Sequence, residues 1–460
     1  MRPKPLFLSD ENMSLAVDLY ELTMAAAYFE NGVNYRSTFD LFVRKLPKNR
    51  GYLIAAGLEQ AIHYLLNVRF TDEQIDFLRK HPAFKTVSDD FFDYLREFRF
   101  TGDVRAIPEG ELVFPEEPIL SVTAPIIEAQ IAETYLLSVI NYQTMIATKA
   151  SRVVLAARGR GVVDFGSRRA HGPQAGVLAA RASYIGGCVA TSNVLAGYEL
   201  GIPIVGTVAH SWNMTFDDEF EAFKSYWKVF PHNTVLLIDT YDTLEGAKKA
   251  ARIGPDLKGV RIDSGDLLGM SFKVREILDS LGMKHVKIVA SGDLNEYKID
   301  ELLKNGAPID MFGVGTEMVT SRDEPTLSAV YKLVEQEREG RVIPKMKLSD
   351  EKVTYPGKKQ VYRRKGADGM YREDVICCID ERLDGEPLLV EVIRGGELVY
   401  RIPPIDQVRE KAMESLKMLP DEYKRLIDPA EYPVRKSERL EALRRRTEEE
   451  ILRAEVVGGR

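Results

Sequence analysis

In the middle of this 460-residue chain, groups able to do chemistry follow short apolar runs. Val162 and Val163 lead into D-F-G-S-R-R-A-H-G, which carries Asp164, Phe165, Arg168 and His171. Ile204 to Val208, with Thr207 among them, lead into His210, and Val235 to Ile238 lead into Asp239 and Asp242. Further on, V-R-I-D-S-G-D carries Arg261 and Asp263, S-G-D carries Ser291, Gly292 and Asp293, and G-V-G-T carries Gly313, Gly315 and Thr316. Arginines suit anionic groups, a strand end with two acids suits a ribose or a hydrated Mg²⁺, and glycine amides beside a threonine hydroxyl suit a phosphate. His210 has neither a second histidine four residues on nor neighbouring cysteines, so acid–base or phosphoryl-carrier chemistry fits it better than zinc ligation. Taken singly, each group has a plainer reading. A strand-end aspartate is usually a turn former or helix cap, Arg261 with Asp263 is an ion pair, and a strand-end histidine is a hydrogen-bonded rim residue. His171 reads as the turn before Pro173. What gives the others weight is their order along the chain.

Positioning them requires a βα rhythm. Strand candidates end near Asp164, Val208, Asp239, Asp263, Ser291 and Val314, with helix-like segments at 172–187, 243–253, 271–281 and 295–305. Such repeats form either an open doubly wound sheet or a barrel, and the barrel is favoured because nearly every strand ends in a useful group. Before this region, 15–30 and 57–66 read as helices, 38–43 as a strand, 101–122 as a small antiparallel sheet, and 129–157 as one long helix or two. After it, short strands at 330–334, 342–348, 360–363 and 388–393 read as hairpins, and 406–418 and 437–453 as helices. The expected fold is α/β: an irregular (β/α) barrel over 129–334, and an α+β domain made of 1–128 and 335–460.

Composition bounds the partners. With 45% apolar residues the chain fills substantial cores, and its net charge of −7 disfavours a general nucleic-acid or anionic-membrane binder, so any phosphate site must be local. The stretch Met1 to Asp10 lacks a signal-peptide core and no run reaches the length of a membrane span, which reads as a cytoplasmic protein. Cys188, Cys377 and Cys378 fit neither a disulfide framework nor a metal pattern and read as buried thiols.

Seven blocks in this order resemble the nicotinate phosphoribosyltransferases: D-L-Y-E-L-T-M at 18–24, F-D-L-F-V-R-K-L-P at 39–47, D-F-G-S-R-R at 164–169, G-T-V-A-H-S at 206–211, R-I-D-S-G-D at 261–266, S-G-D at 291–293 and F-G-V-G-T at 312–316. The resemblance implies an irregular barrel, a homodimer with shared sites, and synthesis of nicotinate mononucleotide from nicotinate and phosphoribosyl pyrophosphate. It implies that Phe165 stacks on the pyridine ring and that Tyr20 of a partner copy covers the other face. Arg168 and Arg261 would bind anionic groups; Asp239 and Asp263 would serve the ribose, Mg²⁺ or the histidine. Ser291, Gly292, Asp293, Gly313, Gly315 and Thr316 would hold the ribose 5-phosphate region, with Thr207 also in the site. His210 would be phosphorylated by ATP, with Asp239 as the acid expected to orient it. Mg²⁺ would arrive with the pyrophosphate, its protein ligands open. Alternatives are a nicotinamide phosphoribosyltransferase, which carries an acid where this chain has Thr191, Ser192 and Asn193, or a barrel that binds without catalysis. Quinolinate phosphoribosyltransferase fits less well, since it needs neither that histidine nor ATP.

Overall fold

The computed structural model describes residues 6–349 and 354–458, so residues 1–5 of the N-terminal stretch lie outside the described residues. The chain divides into two compact units: residues 1–144, 326–404 and 411–460, and residues 145–325 with 405–410.

In the first unit, both ends of the chain share one seven-stranded sheet. Its order is Arg341–Pro344, Ala329–Arg338, Arg36–Val43, Leu120–Pro125, Asp103–Ala106, Val390–Arg394 and Glu397–Leu398. Arg36–Val43 lies inside it, antiparallel to Ala329–Arg338 and Leu120–Pro125, and seven of its eight residues are buried. A strand covered on both faces must be apolar or satisfied throughout. Accordingly Phe39 stacks on Tyr331 with centroids 4.8 Å apart, and the buried Asp40 takes Lys359 Nζ at 2.9 Å. A second sheet orders Glu386–Pro387, Lys359–Lys365, Tyr371–Cys378 and Val434–Lys436. The expected helix over 15–30 is shorter, a 3₁₀ turn at Met13–Leu15 and then Leu19–Glu30, and the 129–157 segment is two helices, Ile126–Ile131 and Glu133–Ala156.

The second unit contains a curled six-stranded parallel sheet. Its order is Ala190–Thr191, Gly161–Asp164, Met311–Val314, Lys287–Ala290, Gly259–Ile262 and Val235–Leu237. Helices Pro173–Ile185, Thr243–Ala251, Leu267–Ser280 and Glu296–Lys304 follow the strands, as parallel connections require. One expected strand is absent. Residues 204–208 make a single bridge, Ile204 with Thr191, and the sixth strand is instead Ala190–Thr191. Ile204 and Val205 are β-branched and apolar, but they lie half exposed at the open edge, where no further strand completes a ladder. The sheet therefore curls as a half-barrel between two free edges.

The unit boundaries differ from those read off the pattern. The helix Glu133–Ala156 runs from one unit into the other, so the first joint falls within it at 144/145 rather than at 129, and the second falls at 325/326. The start of helix Ile405–Met418 groups with the second unit, where Arg409 donates to the carbonyls of Cys188 and Gly187 at 3.1 Å each and Tyr184 donates to Asp406 at 2.5 Å. The three thiols are free and buried, and burial pushes Cys377 up to about 12 and Cys378 up to about 11.

Candidate active site

Most of the site groups are set by the ends of parallel strands in the second unit, and Thr207 and His210 by the segment ahead of a short helix. Asp164 closes the first of these strands and is fully buried, which raises its pKa. Its Oδ1 accepts the Gly166 amide at 2.8 Å and its Oδ2 accepts the Thr191 hydroxyl at 2.7 Å, so it pins two neighbouring strand ends together. Phe165 follows, its amide donating to Val314 carbonyl at 2.9 Å, and its ring packs against Gly313 of the next strand. A Cβ on Gly313 would stand 2.3 Å from Phe165 Cδ2, so the platform exists only because that residue is glycine.

Arg261 is the hub. Its Nε donates to Ser291 Oγ at 2.7 Å, Nη1 to Thr207 Oγ1 at 2.8 Å and Nη2 to Asp263 Oδ1 at 2.5 Å, while its Cζ sits 5.5 Å from the Phe165 ring centroid. One guanidinium thus fixes groups from three loops. Ser291 also donates to Asp263 Oδ1, at 2.5 Å. Gly292 has φ +95°, and a Cβ there would come within 1.9 Å of the Asp263 carbonyl, so the S-G-D turn can close on the neighbouring loop only with glycine. Asp293, also at positive φ, is exposed at the rim.

His210 opens the short helix His210–Met214. Its Nδ1 lies 3.1 Å from Thr240 Oγ1 and its Nε2 lies 4.0 Å from Asp263 Oδ2. The expected orienting acid, Asp239, does something else: its Oδ2 accepts the Asp263 amide and the Ser264 hydroxyl, each at 2.9 Å, and so shapes the turn that carries Asp263. The chain bends at Thr240, past the end of strand Val235–Leu237, and it is Thr240 that faces the histidine.

These groups surround a cavity of about 500 Å³. Phe165, Arg168, Thr207, His210, Arg261 and Asp263 line it, as do Ser291, Gly292, Asp293, Gly313, Gly315 and Thr316. Asp239 does not line it. Tyr20 lies in the first unit, on helix Leu19–Glu30, with its side chain largely exposed. Residues that sequence reasoning did not single out also line the cavity, among them Ser167, Arg169, Gly206, Ala209 and Leu237. Arg169 was signalled by the doubled arginine of S-R-R; the others had only their proximity to a motif. Arg168 and Arg169 are exposed on the 3₁₀ turn Ser167–Arg169 and their guanidinium groups have no hydrogen-bond or ion-pair partner among the described residues, which makes this rim cationic in an acidic chain. Thr191 is buried against Asp164, so of the expected hydroxyl pair only Ser192 reaches the cavity, and Asn193 instead caps helix Val194–Leu200. His171 is exposed in the turn ahead of Pro173.

Among the described residues no group of three or more His, Cys, Asp or Glu could hold a metal ion. Single oxygens remain: Asp239 Oδ1 is buried with no hydrogen-bond partner among the described residues, and Asp263 Oδ2 faces His210. That donor set fits a Mg²⁺ carried mainly by substrate oxygens and water.

An aromatic ring, arginines and a histidine gathered on one rim of a curled parallel sheet suit a flat, anionic substrate. Comparison with known proteins narrows this. The model of the nicotinate phosphoribosyltransferase (NAPRTase) family matches residues 161–368, that of its N-terminal domain 15–141, and that of its C-terminal domain 383–444. Nicotinate phosphoribosyltransferase pncB2 of Mycobacterium tuberculosis is 44% identical over 435 residues, covering 93% of this chain and 92% of that one. The Bacillus subtilis nicotinate phosphoribosyltransferase is 40% identical over 484 residues, covering 96% and 98%. The crystal structure of human nicotinic acid phosphoribosyltransferase superposes with a TM-score of 0.82 at 30% identity, covering 93% of this chain and 99% of that one. The chain belongs to the nicotinate phosphoribosyltransferase family, enzymes of NAD biosynthesis.

Proposed function

We propose that the cavity joins nicotinate to the ribose of phosphoribosyl pyrophosphate and that ATP hydrolysis, through a phosphate carried on His210, drives the condensation. The observation that carries this is the single cavity bounded at once by the Phe165 ring, the Arg261–Asp263 pair and the His210 ring. The pyridine ring stacks on Phe165, and its carboxylate is drawn by the cationic rim of Arg168 and Arg169. The ring nitrogen carries a lone pair at neutral pH and needs no general base. It attacks the anomeric carbon as the bond to pyrophosphate breaks, and the arginines stabilise the departing charge. The loops carrying Ser291, Gly292 and Asp293 and carrying Gly313, Gly315 and Thr316 hold the 5-phosphate end through backbone amides and hydroxyls. Mg²⁺, held mainly by pyrophosphate oxygens and water with Asp263 beside them, would neutralise negative charge there.

Ser192, a neutral hydroxyl in the cavity, tolerates a carboxylate where an acidic side chain would repel it, which favours nicotinate over nicotinamide. The protein acts as a homodimer, with Tyr20 of a second copy closing over the pyridine. An exposed apolar face of the second unit supports this: Val194, Leu195 and Tyr198 of helix Val194–Leu200 lie beside Ile204 and Val205. A Cβ on Gly197 would touch Ile204 Cγ2 at 2.3 Å, so the two segments form one surface. Apolar patches of this kind mark association surfaces. No described helix is long and apolar enough to cross a membrane, and the cytoplasm is the proposed compartment.

Steady-state assays with nicotinate and nicotinamide, each with and without ATP, test the reading. Higher kcat/KM for nicotinate and an ATP-dependent gain in product are expected; preference for nicotinamide would overturn the substrate assignment. Mixed dimers of Tyr20→Ala and Arg261→Ala subunits should regain activity, and no rescue in verified heterodimers would overturn the shared site.

A further inference from the structure

We propose that Thr240, held in place by the buried Asn213, is the positioning residue for His210. This rests on the reading of His210 as the phosphate carrier and adds the device that aims its ring. Asn213 lies three residues after His210 on the helix His210–Met214 and is fully buried. Its Nδ2 donates to the Leu237 carbonyl at 2.9 Å and to Thr240 Oγ1 at 2.8 Å. The amide cannot be turned over, because its oxygen would then face a carbonyl oxygen at hydrogen-bond distance. Both amide protons are therefore committed, one to the end of the strand Val235–Leu237 and one to the threonine. Asn213 Oδ1 is buried with no hydrogen-bond partner among the described residues, so the amide serves through its donors alone.

That leaves Thr240 Oγ1 with one lone pair and its own proton, 3.1 Å from His210 Nδ1. For Nε2 to attack the γ-phosphorus its lone pair must be free, so Nδ1 carries the ring proton and donates it to Thr240 Oγ1. As the N–P bond forms, the bond from phosphorus to the ADP oxygen breaks, and the ring becomes positively charged with its Nδ1 proton still on the threonine. The hydroxyl thus selects the reactive tautomer and holds it in both states. With Nδ1 tied to Thr240, the other ring nitrogen faces Asp263 Oδ2 at 4.0 Å, on the cavity side. His210, Asn213 and Thr240 thus lock the start of one helix to the end of the adjacent strand, and the lock sets the direction of the ring.

The test uses the full-length enzyme and γ-labelled ATP. Thr240→Val keeps the shape and removes the hydroxyl; Thr240→Ser restores it. Label incorporation into His210 should slow by roughly tenfold or more in Thr240→Val, since a misaimed nucleophile loses its near-attack geometry. KM for nicotinate and phosphoribosyl pyrophosphate should stay within about twofold, because those substrates do not depend on the ring's direction. Thr240→Ser should recover most of the rate. In nitrogen-resolved NMR of the unliganded enzyme, the His210 Nδ1 signal should move in Thr240→Val and return in Thr240→Ser. Label entering Thr240→Val at the wild-type rate, or a Thr240→Ser variant no better than Thr240→Val, would overturn the inference alone. A wild-type enzyme that takes no label would overturn the carrier reading and this inference with it.

Discussion

Arg363 in the first unit and Arg261 in the second are built from the same parts, an aspartate partner and aromatic rings, and they do opposite jobs. Arg363 is fully buried, paired twice with Asp374 at 3.0 and 2.6 Å, and bonded to the Leu112 carbonyl at 2.8 Å, with Tyr371 and Phe114 against its faces. Every donor direction ends in protein, so nothing is left for a ligand. Arg261 spends its donors on three loops around a cavity and keeps part of its surface toward it. An ion pair seen in sequence is therefore uninformative by itself; what separates structure from site is whether the pair faces enclosed protein or space.

The largest expected effects break this comparison in opposite ways. Arg363→Met should leave Asp374 buried and unpaired and cost about 3–5 kcal/mol of stability, read as a fall in the denaturant midpoint. Arg261→Met should shift that midpoint little and lower kcat/KM by about 100- to 1000-fold, as removal of a group that stabilises developing charge does. If both variants lost only stability, the distinction would collapse.

Gly313→Ala comes next. Its methyl would displace the Phe165 ring, and kcat/KM for nicotinate should fall by about 100-fold with the KM for ATP nearly unchanged. Ser192→Asp places a negative charge in the cavity and should lower the ratio of nicotinate to nicotinamide kcat/KM by at least about tenfold. A ratio that does not move would show that Ser192 does not face the carboxylate.

The smallest effect belongs to the buried side of the comparison. Glu117 is fully buried beside Asp374, and burial first, then that neighbouring carboxylate, raises its pKa well above 4.5. A folded-state pKa above the unfolded one contributes stability below the unfolded value and loses it as pH rises through the folded value. Glu117→Gln should therefore raise Tm at pH 7 to 8, by about 1–2 °C for each kcal/mol relieved, and the advantage should vanish near pH 4. Equal Tm values across that range would contradict the shift.

Most of the second unit was legible because parallel strands read as apolar runs, and the polar groups that follow them fall on one rim. The failures share a physical cause. Thr191 with Ser192 and Asp239 with Thr240 lie where the chain leaves a strand and bends, so neighbouring side chains point to different sides and the strand pattern does not say which one faces the cavity. Sequence named Asp239 as the residue beside His210, where the structure places Thr240, and named Thr191 and Ser192 together, of which only Ser192 lines the cavity. Residues 204–208 carry a strand's composition, yet lie at an open edge with no neighbour to complete a ladder. The long helix Glu133–Ala156 hid the joint between units, since a continuous helix carries no linker signal. The role proposed for Tyr20 is beyond any local pattern, because it would depend on a second chain.

The account's central claim is that His210 carries phosphate in the same cavity that binds the pyridine. Incubation with γ-labelled ATP, followed by peptide mapping, tests it most directly. Acid-labile, alkali-stable label on the peptide containing His210, absent from His210→Asn although that variant folds and still binds nicotinate, is the expected result. Label of equal intensity in His210→Asn would contradict it.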